Sequence, residues 1–409
     1  MPGNSVWLRA TNRILWLIMA GGVLFLCMAQ SDYLLAPKAW EEAGHWVYRA
    51  AFFIILPFRL LVMFFLPRVD HHFSLLHLVV SCFGTPFFLW LMGSAARAAF
   101  PPRRPPENPA GQSEQPAVIG RRQFLARSTV SMVGTAAGTL GGYASFVEPE
   151  RLHVRRYQQQ ILDLPDELQG LTLIHVSDTH YGPYTSMAFL ERVIEVANAQ
   201  RGDLIVLTGD YVHLTPRAIK DGIAVLDGLR GSLGRVAVLG NHDHWEGANE
   251  CRREFRRLGI PLIDNDRRFL TPDGLEERPR RGRSICVAGV GDLWTDKVSM
   301  SDALHGVSAD MPRILLSHNP DVAESLDLEY RVDLMLSGHT HGGQVRLPAM
   351  GVPVHMSKYG TKYLGGRCSG PRCPVLVSRG IGLAGIPSRF RVPPELSVIT
   401  LARAHTILA

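Results

Sequence analysis

The hydrophobic pattern divides the chain near residue 150. Long apolar runs dominate the first part, whereas short apolar runs alternate with polar, helical segments in the second. Four runs in the first part are each about long enough to cross the roughly 30 Å hydrocarbon core of a bilayer: residues 14–29, 50–66, 73–96 and 128–147. We therefore expect an N-terminal α-helical membrane region, followed by a soluble α/β domain.

The segment between the third and fourth runs is rich in proline and arginine. Residues 97–127 carry six arginines against two glutamates, which is four of the six formal positive charges of the chain. Such arginine-rich flanks stay on the cytoplasmic side. At the end of this segment, GRRQFLARS, residues 120–128, resembles a twin-arginine export signal that lies in the interior of the chain and not at its N-terminus. The predicted organisation is transmembrane helices in 1–96, a cytoplasmic linker in 97–127, a signal-anchor-like helix in 128–148 and the soluble domain in 149–409.

Five predicted strands of the second part end in side chains that bind metals. The strings DTH, GD, GNHD, SH and GHTH each follow an apolar run. One such string alone is usually a turn or a helix cap. Five in one chain indicate a shared site, because ligands bind at the carboxyl ends of strands in open α/β sheets. The candidate residues are Asp178, His180, Asp210, Asn241, His242, Asp243, His318, His339 and His341.

The mixture of carboxylates and imidazoles determines which ions suit these side chains. Hard oxygens combined with borderline nitrogens favour Mn²⁺, Fe²⁺/³⁺ or Zn²⁺ over Ca²⁺ or Cu⁺. One aspartate can bridge two ions. Two ions about 3.5–4 Å apart can clamp a phosphate and lower the pKa of a bridging water molecule. The pattern therefore indicates divalent metal ions, and a pair of them would suit phosphate-ester chemistry.

The ordered set of strings resembles the calcineurin-like metallophosphoesterase family, over roughly residues 150–405. The GHTHGGQ motif and the C-terminal tail resemble its bacterial membrane-associated branch. The resemblance implies a four-layer α/β/β/α sandwich. It also implies that one metal is held by Asp178, His180, Asp210 and His341, and the second by Asp210, Asn241, His318 and His339. His242 would protonate the leaving oxygen or contact the phosphoryl group.

Several neighbouring residues have two interpretations. Asp243 is a catalytic candidate that orients His242, or else a turn carboxylate. His175 is expected to be a packed core residue, whereas His213 and His244 could contact the substrate. Gly209, Gly240 and Gly338 are expected to permit tight turns. Cys368 and Cys373 are close enough in sequence for a disulfide, but two free thiols fit equally well.

The leading hypothesis is a membrane-tethered dinuclear phosphoesterase, in which a metal-bridging hydroxide attacks a phosphodiester, phosphomonoester or pyrophosphate. Membrane attachment makes a lipid-linked substrate an option. The alternatives are an enzyme resembling the UDP-2,3-diacylglucosamine pyrophosphohydrolases of lipid A synthesis, or a non-catalytic metal-binding sensor. We expect a multi-pass protein of the bacterial cytoplasmic (inner) membrane with its catalytic domain outside the cytoplasm. No nucleic-acid partner is expected. The number of spans and the oligomeric state stay open.

Overall fold

The computed structural model describes residues 139–404 and three positions upstream, 125, 128 and 132. The predicted membrane runs lie outside these residues, apart from the end of the fourth, as does nearly all of the twin-arginine-like segment. Among the described residues, no helix is both long and apolar enough to cross a bilayer. The compact unit that holds the candidate site begins at Tyr143.

This start is earlier than the predicted boundary at residue 149, because the preceding residues pack into the domain. The backbone N–H of Arg389 donates to the carbonyl of Ala144. The hydroxyls of Ser145 and Ser388 are 2.8 Å apart, and Ser145 is buried. Residues 143–150, which form short π and 3-10 turns, are therefore part of the folded domain.

Within its described residues, 143–404, the domain consists of two β-sheets and four α-helices. The first sheet has the strand order β1-β12-β2-β3-β4, in which β12 runs antiparallel to β2 and the other neighbours are parallel. Its strands are β1 His153–Leu162, β2 Thr172–Val176, β3 Leu204–Thr208, β4 Gly234–Val238 and β12 Glu395–Ala404. The helices are α1 Met187–Ala199, α2 Ala218–Ala224, α3 Asn241–Arg257 and α4 Met300–Leu304.

The second sheet has the strand order β10-β11-β9-β8-β7-β5-β6. Its central strands β11, β9, β8 and β7 are parallel, and antiparallel hairpin strands complete both edges. The strands are β5 Asp266–Thr271, β6 Gly274–Glu276, β7 Ile285–Gly289, β8 Arg313–Leu316, β9 Leu334–Ser337, β10 Gly366–Ser369 and β11 Pro374–Val377.

The sheets pack face to face, and alternation along the strands creates the layers. In β3, Leu204 and Val206 belong to the cluster between the sheets, whereas Ile205 and Leu207 belong to the cluster under the helices. α1, α2 and α3 cover the first sheet. The outer layer of the second sheet is thin, since it consists of the five-residue α4 and short 3-10 turns. The predicted four layers are thus present, with unequal outer layers.

Parallel pairing brings the ends of five strands to one edge of the molecule. The candidate residues follow β2, β3, β4, β8 and β9, as predicted. One detail differs: Asn241, His242 and Asp243 form the first turn of α3 and not the end of a strand or a β-turn. The backbone N–H of His242 is therefore not used by a sheet and donates to Oδ1 of Asp210.

Candidate metal centre

The backbone is left-handed at most of the predicted ligands. Five of the seven have positive φ, between 44° and 70°. They are Asp178, His180, Asp210, His339 and His341. Side chains with a Cβ rarely adopt this region, and clusters of such residues are typical of functional sites. Each loop turns sharply at the strand end, which aims the side chains of separate loops at one another.

The first cluster, called the Asp178 group, consists of Asp178, His180 and His341. Nε2 of His180 lies 3.0 Å from Nε2 of His341, which in turn lies 3.3 Å from Oδ1 of Asp178. All three side chains are buried. Two imidazole nitrogens and a carboxylate oxygen thus converge on a volume that one ion could fill.

The second cluster, called the Asp210 group, consists of Asp210, His318, His339 and Asn241. Nε2 of His318 lies 3.2 Å from Oδ2 of Asp210 and 3.2 Å from Nδ1 of His339. The amide oxygen of Asn241 is also 3.2 Å from that nitrogen of His318. The structure brings together the same residues that the family resemblance assigned to a second metal.

Asp210 lies between the two groups. Its Oδ2 is 3.4 Å from Nε2 of His180 in one group and 3.2 Å from Nε2 of His318 in the other. Its Oδ1 accepts a hydrogen bond of 2.9 Å from the backbone N–H of His242. This position is the one that a bridging carboxylate requires.

The donor atoms fit divalent metal ions. Each group brings imidazole nitrogens and a carboxylate oxygen within 4.8 Å of one another, and this mixture of donors suits a divalent ion. Burial and neighbouring histidines hold the pKa of His180 well below its usual range. Burial raises the pKa of Asp178, but His341 and His318 outweigh it and keep the pKa low. Neutral imidazole and ionised carboxylate are the forms that bind metals, and these two residues have them. In the Asp210 group, burial lowers the pKa of His318, but Asp210 and Asp178 outweigh it and raise the pKa to about 10.

Glycines allow the loops to approach at this edge. A Cβ on Gly338 would lie 2.0 Å from Oγ of Ser177 and 2.2 Å from Oδ2 of Asp178. A Cβ on Gly240 would lie 2.2 Å from Oδ1 of Asp210. Neither residue has positive φ, so both are required for space, whereas Gly209 with φ +90° also serves the turn.

The geometry of Asp243 matches the second of its two interpretations, a carboxylate that holds a turn. Oδ2 of Asp243 accepts hydrogen bonds from the backbone N–H groups of Asp210 and Gly240, and Oδ1 accepts one from Tyr211. These bonds are 2.8–2.9 Å long, and Asp243 is buried. Asp243 therefore closes the start of α3 and fixes the loop that presents Asp210.

His242 is at the open side of the site. Its ring packs edge-on against His180, with centroids 4.8 Å apart, and it is only half-buried. Its Nδ1 lies 3.2 Å from Nδ1 of His213, which leaves Nε2 available to a bound molecule. His180, His213 and His242 form a third cluster of nitrogens that sequence reasoning did not assemble. The only feature of the sequence that pointed to this cluster was the position of His213, three residues after Asp210.

Other candidates take more ordinary positions. His175 is buried in β2 and lies 2.8 Å from the hydroxyl of Thr208, in agreement with its expected core role. His244 lies 3.7 Å from Asp296. Cys368 and Cys373 are free thiols.

Arg389 was not anticipated from the sequence. It is fully buried, donates to the carbonyls of Arg379, Gly380 and Gly382, and lies 3.4 Å from Nδ1 of His341. No local motif in the sequence marks it.

Comparison with known proteins decides the family. The model of the calcineurin-like phosphoesterase domain matches residues 171–343. The uncharacterized metallophosphoesterase YkuE of Bacillus subtilis is 31% identical over 290 residues, which cover 69% of this chain and 98% of that protein. The chain belongs to the calcineurin-like phosphoesterase family.

Two further relatives extend the comparison. Phosphodiesterase YaeI of Escherichia coli is 30% identical over 69% of this chain and 100% of its own length. The transmembrane protein with metallophosphoesterase domain of Danio rerio is 27% identical over 84% of this chain and 77% of its own length. This metallophosphoesterase is a metal-dependent phosphoric ester hydrolase with His and Asp clusters that could hold its metals. The role of each ligand residue stays a prediction.

Proposed function

We propose that the protein hydrolyses phosphodiesters with two divalent metal ions bound at the Asp178 and Asp210 groups. The observation that carries the proposal is the position of Asp210, whose Oδ2 lies within 3.4 Å of a histidine nitrogen from each group. Mn²⁺, Fe²⁺/³⁺ and Zn²⁺ all suit these ligands. Ions held there would activate a water molecule and neutralise charge on the phosphoryl group.

The residues of the chain have distinct parts in this reaction. The oxygen of water adds to phosphorus as the bond from phosphorus to the leaving alcohol breaks, and the alcohol gains a proton as the water loses one. Since Nδ1 of His242 faces His213, Nε2 is the atom that can donate to the leaving oxygen. Asp243 keeps Asp210 in place through the backbone.

The name of one relative favours a diester over a monoester. The relative from Escherichia coli is named a phosphodiesterase.

The test uses the full chain in detergent, loaded with Mn²⁺. We expect faster hydrolysis of bis(p-nitrophenyl) phosphate than of p-nitrophenyl phosphate. His242→Ala should lower kcat by roughly 10²–10⁴-fold and keep the bound metal. The control is His305→Ala, an exposed histidine that follows α4. Metal-loaded protein that hydrolyses neither ester would contradict the proposal.

We also propose that the domain is tethered to the bacterial cytoplasmic membrane and lies on its outer side. Support comes from the four apolar runs and the arginine-rich linker before the fourth. Protease added to spheroplasts should then digest the domain, while a cytoplasmic marker survives. Protection of the domain until lysis would overturn this orientation.

A further inference from the structure

Two tryptophans flank the open side of the site. They are the only tryptophans in residues 139–404. Trp245, in the first turns of α3, packs edge-on against His242 with centroids 4.8 Å apart. Trp294, in the loop after β7, packs edge-on against His339 at 4.3 Å. The indoles therefore connect the predicted leaving-group side of the site with the Asp210 group.

The two rings form one aromatic surface. Their centroids are 6.4 Å apart, and their planes differ by 30°. Trp245 is 45% exposed and Trp294 is 37% exposed, although indoles rank among the largest apolar side chains. Exposed apolar surface next to a polar cavity is typical of a binding site rather than of a stabilising core.

The loop that carries Trp294 is fixed by hydrogen bonds. Oδ1 of the buried Asp292 accepts from the backbone N–H groups of Trp294 and Thr295 and from the hydroxyl of Thr295. The side chain of Asn265 ties the same loop at Gly291 and Lys297. An exposed indole on an anchored backbone loses little entropy when a ligand binds.

Charged groups lie close to the two rings in sequence. Asp296, two residues after Trp294, lies 3.7 Å from His244, the residue before Trp245, and 3.4 Å from Arg252. A long acyl chain needs an extended apolar trough. A flat ring with polar edges matches a small aromatic surface bordered by charge.

We propose that Trp245 and Trp294 bind a flat aromatic ring, such as a nucleobase or an aryl group, carried by the leaving alcohol of the phosphodiester. The inference rests on the proposed function for its site and deepens it by naming a substrate class. Stacking of one base on aromatic side chains corresponds to roughly 5- to 150-fold in affinity.

The experiment compares two matched diesters on the full chain with Mn²⁺. One is adenosine 5′-methyl phosphate, and the other is ribose 5-methyl phosphate, which has the same leaving oxygen but no base. We expect kcat/KM for release of adenosine to exceed that for release of ribose at least about 5-fold. Trp245→Leu and Trp294→Leu should bring this ratio close to one, and the Phe variants should retain most of it. A third diester of benzyl alcohol distinguishes a simple aryl ring from a nucleobase.

A binding measurement separates this inference from the proposed reaction. Calorimetry on His242→Ala protein compares adenosine monophosphate with ribose 5-phosphate, so it needs no turnover. Leu328→Ala is the control for loss of an exposed apolar group, because the side chain of Leu328 is 76% exposed. This variant should leave the ratio of the two affinities unchanged.

Tighter binding of adenosine monophosphate that depends on the tryptophans supports the aromatic subsite even if no diester is hydrolysed. Equal rates and equal affinities for the paired compounds overturn the subsite and leave the phosphodiesterase proposal standing. A tryptophan-dependent preference for a diester of a long-chain alcohol over both ring-bearing diesters also overturns it.

Discussion

The backbone N–H of His339 donates a hydrogen bond of 2.9 Å to Oδ1 of Asp178. His339 belongs to the Asp210 group, whereas Asp178 belongs to the other, so this bond joins the two groups through the loop after β9. The same carboxylate oxygen lies 3.3 Å from His341, two residues further along that loop. A change at Asp178 should therefore affect both halves of the centre.

Removal of metal should destabilise the domain. We expect EDTA to lower Tm, and Mn²⁺ at 100 times its Kd to restore about 2.7 kcal/mol of stability, because ions bind only the folded ligand set. Asp178→Asn should abolish most of this response, since it removes one anionic ligand. The check is thermal unfolding by circular dichroism with and without Mn²⁺. Asp166→Asn, at an exposed carboxylate paired with Arg403, should respond as the wild type does.

Asp243→Asn should reduce metal content as well as turnover. An amide offers one acceptor oxygen in place of two, so at least one of the backbone N–H groups of Gly240, Asp210 and Tyr211 would lose its partner. Such a loss costs about 1–3 kcal/mol. Elemental analysis should show fewer ions per chain, in contrast to His242→Ala. Full metal occupancy in Asp243→Asn, with turnover lost, would instead favour a direct catalytic role.

Gly338→Ala should disrupt the centre although it adds a single methyl group. The new Cβ would overlap Ser177 and Asp178, and the strand end must shift to accept it. We expect a loss of roughly 1–3 kcal/mol in the free energy of unfolding and weaker Mn²⁺ binding by calorimetry. Gly142→Ala is the matched control, because nothing lies within 4 Å of its added Cβ. Equal Mn²⁺ affinity in the two variants would show that glycine at position 338 is not required for space at the metal centre.

Asp264 should make the stability of the metal-free domain depend on pH. Burial raises the pKa of Asp264 to about 6, while a hydrogen bond from the backbone of Leu239 opposes the shift. A raised folded-state pKa means that its contribution is complete below about pH 4 and is lost as the pH rises through about 6. Asp264→Asn removes the titration.

The wild type should therefore lose stability from pH 4 to pH 7, whereas Asp264→Asn should not. The free energy of unfolding of the variant, relative to the wild type, should be higher at pH 7 than at pH 4. We expect on the order of 1–2 kcal/mol, because the side chain keeps some contact with solvent. Urea unfolding in EDTA at both pH values measures the difference. A difference between variant and wild type that is the same at both pH values would show that Asp264 does not titrate in this range.

The strands and the ligand positions could be predicted because they depend on local sequence. An uninterrupted apolar run defines β3, and Asp210 follows its last residue after a single glycine. The role of Asp243 could not be predicted, since its partners Asp210 and Tyr211 are distant in sequence and meet it only after β3 and β4 pair. Trp294 was missed for the same reason: its contact with His339 exists only once the second sheet has formed.

The left-handed backbone at Asp178, His180, Asp210, His339 and His341 has a consequence for how this sequence is maintained. Glycine or asparagine would suit these torsion angles better, and each current residue costs roughly 1 kcal/mol there. Glycine at the three histidines would therefore relieve this torsional cost in the metal-free domain, whereas glycine at Asp178 or Asp210 would also remove the acceptor of a backbone N–H group. Only selection for the chemistry of the side chains keeps aspartate and histidine at positions where the backbone favours their loss.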